Sequence, residues 1–461
     1  MGNRQKTKNP DKIGIIPMLL WSGNGASSAI NVVLLTFLTL YCTNALGMSA
    51  ALVGTLLMVS KIFDGITDIC AGYIVDKTNT KLGRGRPYDL CILGLWFTTY
   101  LLFSVPEGMS TTVKCIWIFV CYALCQSVFR TFMNASGVPY MVRAFNNEQK
   151  YVKINSWGGI ITTLAVIVFN VTFPMFYAKI IGSPSGWSHL VMCLAIPLAL
   201  IGILRFFFIP EKYVVDDVQS QHTTIKDVAA LLKTNKNIYP VALLQFIIGI
   251  GSNMGVSAYY FLYIVKNVEI SGVMSLFGML AMVSMVFYPM ILKRISTKQL
   301  IQYGLMMSIL GGVLNFLAGA NLAMLAVGGI IIGVSSLPCS YMTNILAIDC
   351  ADYNEWKGTP RMEGTLCSIT GFANKLGAAF GTFLIGILLT SSGFDGTLAA
   401  QPDSAVMMIR VSYALVPVFF YVFGAFALRF YKLDKMKAEI NAGIEAHRRD
   451  IAEKEGMDEN V

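Results

Sequence analysis

Charge is scarce in this chain. Only 13% of its 461 residues are charged, against about 25% in an average soluble protein. Histidine is scarcer still: His189, His222 and His447 are the whole complement, and they form no metal-ligand spacing. With no GxSxG or Walker-type loop either, an enzyme is not expected, and neither is a cofactor or a metal beyond a transported ion. None of the ten cysteines forms a CxxC pair, and most, such as Cys70, Cys91, Cys115, Cys121, Cys125 and Cys193, lie in apolar runs. They read as packing residues, not as a disulfide or metal framework. The net charge of +9 is spread over short loops, without the basic, aromatic-interleaved patch that nucleic acid requires. No cleavage site follows the first apolar run, so it is expected to remain, and Lys6 stands where a myristoylation signal needs Ser or Thr.

What is abundant is apolar sequence, 55% of the chain. Runs long enough to cross about 30 Å of hydrocarbon recur about twelve times. They fall near 14–42, 48–75, 88–106, 112–141, 155–181, 187–210, 238–265, 270–292, 299–319, 321–346, 363–391 and 404–431. The expected fold class is therefore an all-α membrane protein. Lysine and arginine gather in alternate loops: Arg4, Lys6, Lys8 and Lys12; then Lys77, Lys81, Arg84 and Arg86; then Arg143, Lys150 and Lys153; then Lys212, Lys226, Lys233 and Lys236; then Lys293, Arg294 and Lys298. The opposite loops hold single lysines such as Lys114, Lys179 and Lys266. The positive-inside rule then puts both termini in the cytoplasm of a multi-pass plasma-membrane protein. The expected organisation is a tail at 1–13, a six-helix half at 14–210, a cytoplasmic linker at 211–237, a second six-helix half at 238–431 and a charged, solvated helical tail at 432–461. Two halves about a linker is the plan of a rocking transporter with its solute site near the midplane.

Inside the second run, Asp64 and Asp68 are four residues apart and so share one helix face. Asp64 lies twelve residues from Asp76, the end of the run, or about 18 Å deep at 1.5 Å per residue. Carboxylates in hydrocarbon are costly, so such a pair shares a proton or is neutralised by a bound cation or a basic side chain. Hard cations take oxygen ligands. Thr67, between the acids, offers a hydroxyl, and Asn134 in the fourth run offers a carbonyl at similar depth.

Arg130, Asn134 and Gly137 follow at i, i+4 and i+7, a stripe facing the bundle interior. Two roles for Arg130 are open: counter-ion to the acids, or bidentate recognition of a carboxylate or phosphate on a substrate. Lys375, twelve residues beyond Glu363 in the eleventh run, is equally a partner for the acids, a substrate donor or a link between the two. Trp21, Asn24 and Asn31 in the first run, with Asn253, Tyr259, Tyr260 and Tyr263 in the seventh, supply the amides and aromatic faces that bind a polyol; packing and membrane-interface roles suit the same tyrosines.

DGITD at 64–68, DKTNTKLGRGRP at 76–87, GVPY at 137–140, IDCADYNEWKGTPRMEG from Ile348 and NKLGAAFG ending at Gly381 together resemble the glycoside-pentoside-hexuronide:cation symporters. This is the branch of the major facilitator superfamily typified by bacterial melibiose permease. The resemblance implies that Asp64, Thr67, Asp68 and Asn134 ligate a coupling cation, sodium or a proton, with Asn134 replacing a threonine, and that Lys375 stands near both sites. It implies a cytoplasmic gating network of Asp76, Arg84 and Arg86 facing Asp349, Asp352, Glu355 and Arg361. Two aspartates that grip the galactoside in melibiose permease correspond to Ser28 and Gly137, a fourth-helix tryptophan corresponds to Met141, and an early fifth-helix arginine has no clear match. The candidate substrate contacts are thus Ser28, Asn31, Arg130, Gly137, Tyr260 and Lys375, with a galactoside disfavoured and, because Arg130 is no feature of melibiose permease, a hexuronide or other anionic glycoside a candidate. The expected function is import of a sugar or glycoside in symport with a monovalent cation, the alternative being an exporter or carrier of a lipid-like or anionic amphiphile on the same scaffold.

Overall fold

The computed structural model describes residues 14–78, 80–106, 108–145, 148–212, 235–280, 284, 287–359, 362–398, 400–440 and 442–444. The tail at 1–13, most of the 211–237 linker, Arg361 and the last seventeen residues, from 445, lie outside this set. The described chain is helical throughout. Its helices are α1 Ile15–Leu35, α2 Ala50–Lys77, α3 Cys91–Leu102, α4 Thr111–Ala123, α5 Thr131–Phe145, α6 Glu148–Tyr177, α7 Pro184–Phe208, α8 Ile238–Asn253, α9 Ser257–Tyr263, α10 Ile270–Leu280, α11 Tyr288–Ile291, α12 Thr297–Ala318, α13 Leu322–Trp356, α14 Glu363–Ser391 and α15 Asp403–Ala427. Local chemistry sets several of the starts. Ser49 and Ser183 accept from Leu52 N and Gly186 N, Ser296 forms a capping box with Gln299, and Asn321 accepts from Ala323 N and Met324 N.

Among the described residues, ten helices are long and apolar enough to cross a membrane. The third and eighth expected runs take other forms. The former is a 3-10 turn, Arg86–Leu90, followed by α3, whose twelve residues rise only about 18 Å. The latter appears as α10 and α11, with 281–283 and 285–286 between them outside the described set. The distribution of side chains is that of a protein dissolved in lipid. Leu164, Val168, Ile196, Leu200, Phe207 and Phe208 are exposed while Ser22, Asn24, Ser27 and Asn31 are buried, because lipid solvates apolar side chains and interhelical hydrogen bonds satisfy the polar ones. The protein is a multi-pass, all-helical membrane protein.

The chain divides into two compact units: one of residues 1–219 with 267–273 and 386–402, the other of 220–266, 274–385 and 403–461. In the first, α1 is pinned to its neighbours by polar contacts spaced along its length. Asn24 Nδ2 donates to Gly202 O at 3.0 Å, Ser27 Oγ to Leu198 O at 2.8 Å, and Trp96 Nε1 to Ser27 Oγ at 2.8 Å. Asn24 thus holds α1 to α7.

In the second unit the core of Val241, Leu244, Leu305, Leu346 and Leu428 continues into the C-terminal segment. Residues 433–440 are helical, and Leu433, Ile440 and Ile444 are buried against this core. Ser296 Oγ donates to Asp434 Oδ2 at 2.9 Å and Lys298 Nζ to Tyr431 O at 2.7 Å. The expectation of a solvated tail is corrected here for residues 433–440 and 442–444; the rest of the tail, from 445, lies outside the described residues. Every third or fourth residue of the segment is apolar, so its one greasy face docks.

Candidate cation and substrate site

Asp64 and Asp68 lie on successive turns of α2, and the structure brings both to one atom. Thr131 Oγ1 lies 3.2 Å from Asp64 Oδ1 and 2.8 Å from Asp68 Oδ1, in hydrogen-bonding geometry with each. Thr131 is buried and both acids are partly buried. A hydroxyl has one proton and two lone pairs, so this oxygen can donate to one carboxylate while its lone pairs turn elsewhere. Three oxygens converging in this way form the kind of cluster that suits a hard cation or a shared proton. Lys61, one turn earlier on α2, is within electrostatic reach of Asp64. Thr67 Oγ1 donates to Asp64 O in its own helix at 3.0 Å.

A π-helical segment, Leu124–Arg130, places Thr131. π-turns insert an extra residue into a helix and recur at functional sites. Here Thr131 Oγ1 also reaches back to Gln126 O at 3.1 Å, across the widened turn. A threonine hydroxyl thus stands beside the acids three residues before Asn134, the position to which the resemblance assigned a ligand. Asn134 itself is exposed on α5. Sequence reasoning passed over Thr131 although it adjoins Arg130 at the same depth as the acids; the missing signal was the π-turn, which changes which residues share a face.

Arg130 lies between the acid site and α1. Its guanidinium donates to Ser28 Oγ at 3.3 Å, Ser28 O at 3.2 Å and Asn31 Oδ1 at 2.7 Å. Asn31 is fully buried and donates in turn to Thr99 Oγ1 at 2.7 Å. Arg130 Nε is buried without a hydrogen-bond partner among the described residues. Three of the candidate substrate residues, Ser28, Asn31 and Arg130, thus form one polar chain across α1, α3 and the π-turn. Gly137 faces open space, with no atom within 4 Å of where a Cβ would stand.

Tyr260 has a different setting. It is fully buried, stacks on Tyr413 at 4.2 Å between centroids, and donates from its hydroxyl to Gly319 O at 2.6 Å. Its environment is that of a packing residue. Lys375 lies on α14 of the second unit. Trp21 packs against Tyr140 and Phe145, with the Arg205 guanidinium 4.3 Å above its ring.

Of the expected gating residues, Arg86 is anchored within its own unit. Its Nε donates to Phe206 O at 2.8 Å and its guanidinium lies over the Phe206 ring. The LGRGRP turn is organised by a residue that sequence reasoning did not select. The Glu211 carboxylate accepts from three successive backbone amides: Arg84 N at 2.9 Å, Gly85 N at 2.7 Å and Arg86 N at 2.6 Å. Such a nest of amides is an anion site built from backbone. The glycines follow from it. Gly83 has φ +113°, and a Cβ there would stand 2.4 Å from the Glu211 carboxylate, while one on Gly85 would meet Ser136 O at 2.7 Å. Glu211→Ala, which strands these amides, is expected to cost about 1–3 kcal/mol. Lower thermal stability together with new protease cleavage in the 78–86 turn would be the readout, and an unchanged cleavage pattern would refute it.

Asp349 is mostly buried and held within the second unit, by Lys437 Nζ at 2.7 Å and the Tyr431 hydroxyl at 3.1 Å. Asp352 and Glu355 lie near the end of α13. Asp76 is on the last turn of α2, its side chain outside the described set.

A family model described as "MFS/sugar transport protein" matches residues 21–435. The chain belongs to that family. Its sequence relatives agree with the symporter branch that the motifs resemble. The transporter is 29% identical to an isoprimeverose transporter of Lactiplantibacillus pentosus, over 89% of this chain and 87% of the relative. It is 27% identical to a glucuronide carrier protein homolog of Escherichia coli (strain K12), over 90% and 91%, and 25% identical to a putative glycoside/cation symporter of the same strain, over 89% and 90%. Among solved structures, a bacterial homolog of the human lysosomal transporter Spinster aligns with a TM-score of 0.68 at 13% identity, covering 94% of this chain and 99% of that one. The nucleoside transporter NupG aligns with a TM-score of 0.60 at 14% identity, over 92% and 100%. Likeness at this identity shows the shared major-facilitator fold of the transporter.

Proposed function

We propose that this transporter imports a sugar or glycoside across the plasma membrane, coupled to sodium or a proton held at Asp64 and Asp68. The observation that carries this reading is the convergence of both carboxylates on Thr131 Oγ1. The cation ligands are then Asp64, Asp68 and Thr131, with the Thr67 oxygen beside them. Both termini are cytoplasmic, as the loop lysines and arginines argue.

The one-turn displacement of the threonine has a consequence for the substrate side. If the fourth-helix register moves by three residues, the second galactoside-aspartate position moves from Gly137 to Asn134, whose side chain is exposed. Asn134 and Ser28 then replace the two aspartates, and neutral hydrogen-bonding groups suit a neutral glycoside. Arg130, with its guanidinium engaged by Ser28 and Asn31, acts by holding α1 beside the acid site. Lys375 is kept as a candidate substrate residue. Asp76, Arg84 and Arg86 in the one unit, and Asp349, Asp352, Glu355 and Arg361 in the other, are each kept as candidate gating residues.

Coupling requires only that the cation and the sugar favour the same state. A coupling of about 1–3 kcal/mol changes each affinity by about five- to 150-fold. The test is binding of neutral glycosides, pentosides and uronides to purified protein, with and without sodium and across pH, followed by uptake into vesicles. A neutral glycoside bound more tightly with sodium or acid, and accumulated under the same gradient, is expected. Uptake that never exceeds a vector control, with efflux of an amphiphile instead, would overturn the import reading.

A further inference from the structure

We infer that the second unit carries a binding site for an anionic phospholipid between the start of α8 and the end of α15. A groove of about 540 Å³ lies there, walled by Tyr239 and Leu243 on one side and by Phe423 and Phe426 on the other. Lys236 and Lys432 also line it. Lys236 precedes α8 by two residues and Lys432 follows α15 by five, so in a helix pair where one starts as the other stops the two ammonium groups belong to the same end. Arg429 adds a third cation nearby, its guanidinium 5.9 Å from the Phe426 ring.

Apolar exposure alone is ordinary on a membrane protein, since lipid tails solvate it. Two other features set this place apart: it is concave, and its cations stand at one end only. From Lys236 to Leu243 is seven residues, about 10 Å along the helix, so the groove runs from headgroup level into the hydrocarbon. That polarity, cationic at the rim and aromatic within, complements a phosphate attached to an acyl chain and matches neither a free anion nor a neutral lipid. Basic pockets between membrane helices take anionic headgroups in this way. Which leaflet supplies the lipid rests on the orientation proposed above; preference for an anionic headgroup does not.

The test uses the full-length transporter in nanodiscs of phosphatidylcholine, titrated with phosphatidylglycerol, and read by thermal unfolding and by native mass spectrometry of bound lipid. Phosphatidylglycerol is expected to raise the unfolding temperature and to be retained in preference to phosphatidylcholine. At about 1 kcal/mol per lysine, Lys236→Gln with Lys432→Gln is expected to weaken that preference about thirty-fold, while unfolding in pure phosphatidylcholine stays as in the parent. The paired Lys→Arg variant is expected to keep it. Equal retention of the two lipids by the parent protein would overturn the proposal, as would full preference in the Lys→Gln pair, or an equal stabilisation by inorganic phosphate. Because sugar binding is not read out, failure of the lipid site leaves the symport reading standing, and the reverse holds.

Discussion

Asp64→Asn and Asp68→Asn are each expected to abolish the cation dependence of sugar binding, and with it accumulation against a gradient. An asparagine keeps the shape of a neutral acid but needs neither proton nor sodium to be neutral. Sugar should therefore still bind, with an affinity that no longer responds to the cation, so that a shift of about five- to 150-fold collapses to none. Thr131→Val separates the hydroxyl from the acids. A hydrogen bond to a charged group is worth about 1.5–3 kcal/mol. If the coupling ion is a proton, loss of this donor to the carboxylates should lower the half-saturating proton concentration by about ten- to 150-fold. If it is sodium, which takes the hydroxyl oxygen as a ligand, the half-saturating concentration should rise. Thr131→Ser should restore the parent value in either case. Isothermal titration with and without cation would read all four variants. Wild-type cation dependence in Thr131→Val would remove Thr131 from the site, and in either asparagine variant it would remove the site altogether.

Arg205→Met is expected to be the most destabilising single change. Arg205 and Asp89 are 6% and 0% exposed, and they pair through Nε to Oδ2 at 2.8 Å and through a second contact from the other arm of the guanidinium. The same guanidinium lies 4.3 Å from the Trp21 ring centroid and 5.1 Å from that of Tyr140, and the Tyr140 hydroxyl donates to the carbonyls of Arg205 and Ile209. One side chain thus ties together α1, the 3-10 turn before α3, α5 and α7. Removing one partner of a buried pair leaves an uncompensated charge and costs about 3–5 kcal/mol, whereas removing both and filling the space is often close to neutral. Arg205→Met with Asp89→Leu is therefore expected to recover most of the loss. The melting temperature in detergent checks both variants, and a double variant no more stable than Arg205→Met alone would show that the aromatic stacking, not the charge, is what holds these helices.

How far the chain could be read in advance differs between its parts. The bilayer, the helical class and the family were legible because they depend on composition and on long motifs, which survive uncertainty of several residues. The acids were legible because a carboxylate in an apolar run is anomalous wherever its helix points. Thr131 was not, because its place depends on the π-turn at Leu124–Arg130, and a π-turn breaks the 3.6-residue period from which faces are counted. Tyr260 and Asn24 were read toward a sugar because of their chemistry, yet their partners proved to be backbone carbonyls of neighbouring helices. Glu211 looked like one more linker charge until the turn at 83–86 closed around it.

The sequence by itself determined what the membrane imposes: how much of the chain is apolar, where the runs break, which loops carry charge and which acids stand inside. These are one-dimensional quantities, set by the cost of moving each residue type from water into hydrocarbon. The tertiary structure alone decided which oxygen joins Asp64 and Asp68, that Arg130 is engaged by α1, that Asp349 is held by Lys437, and that the C-terminal segment docks instead of floating. Each of these depends on contacts of a few ångströms between residues far apart in the chain, and neither hydropathy nor helical period reports which helices become neighbours.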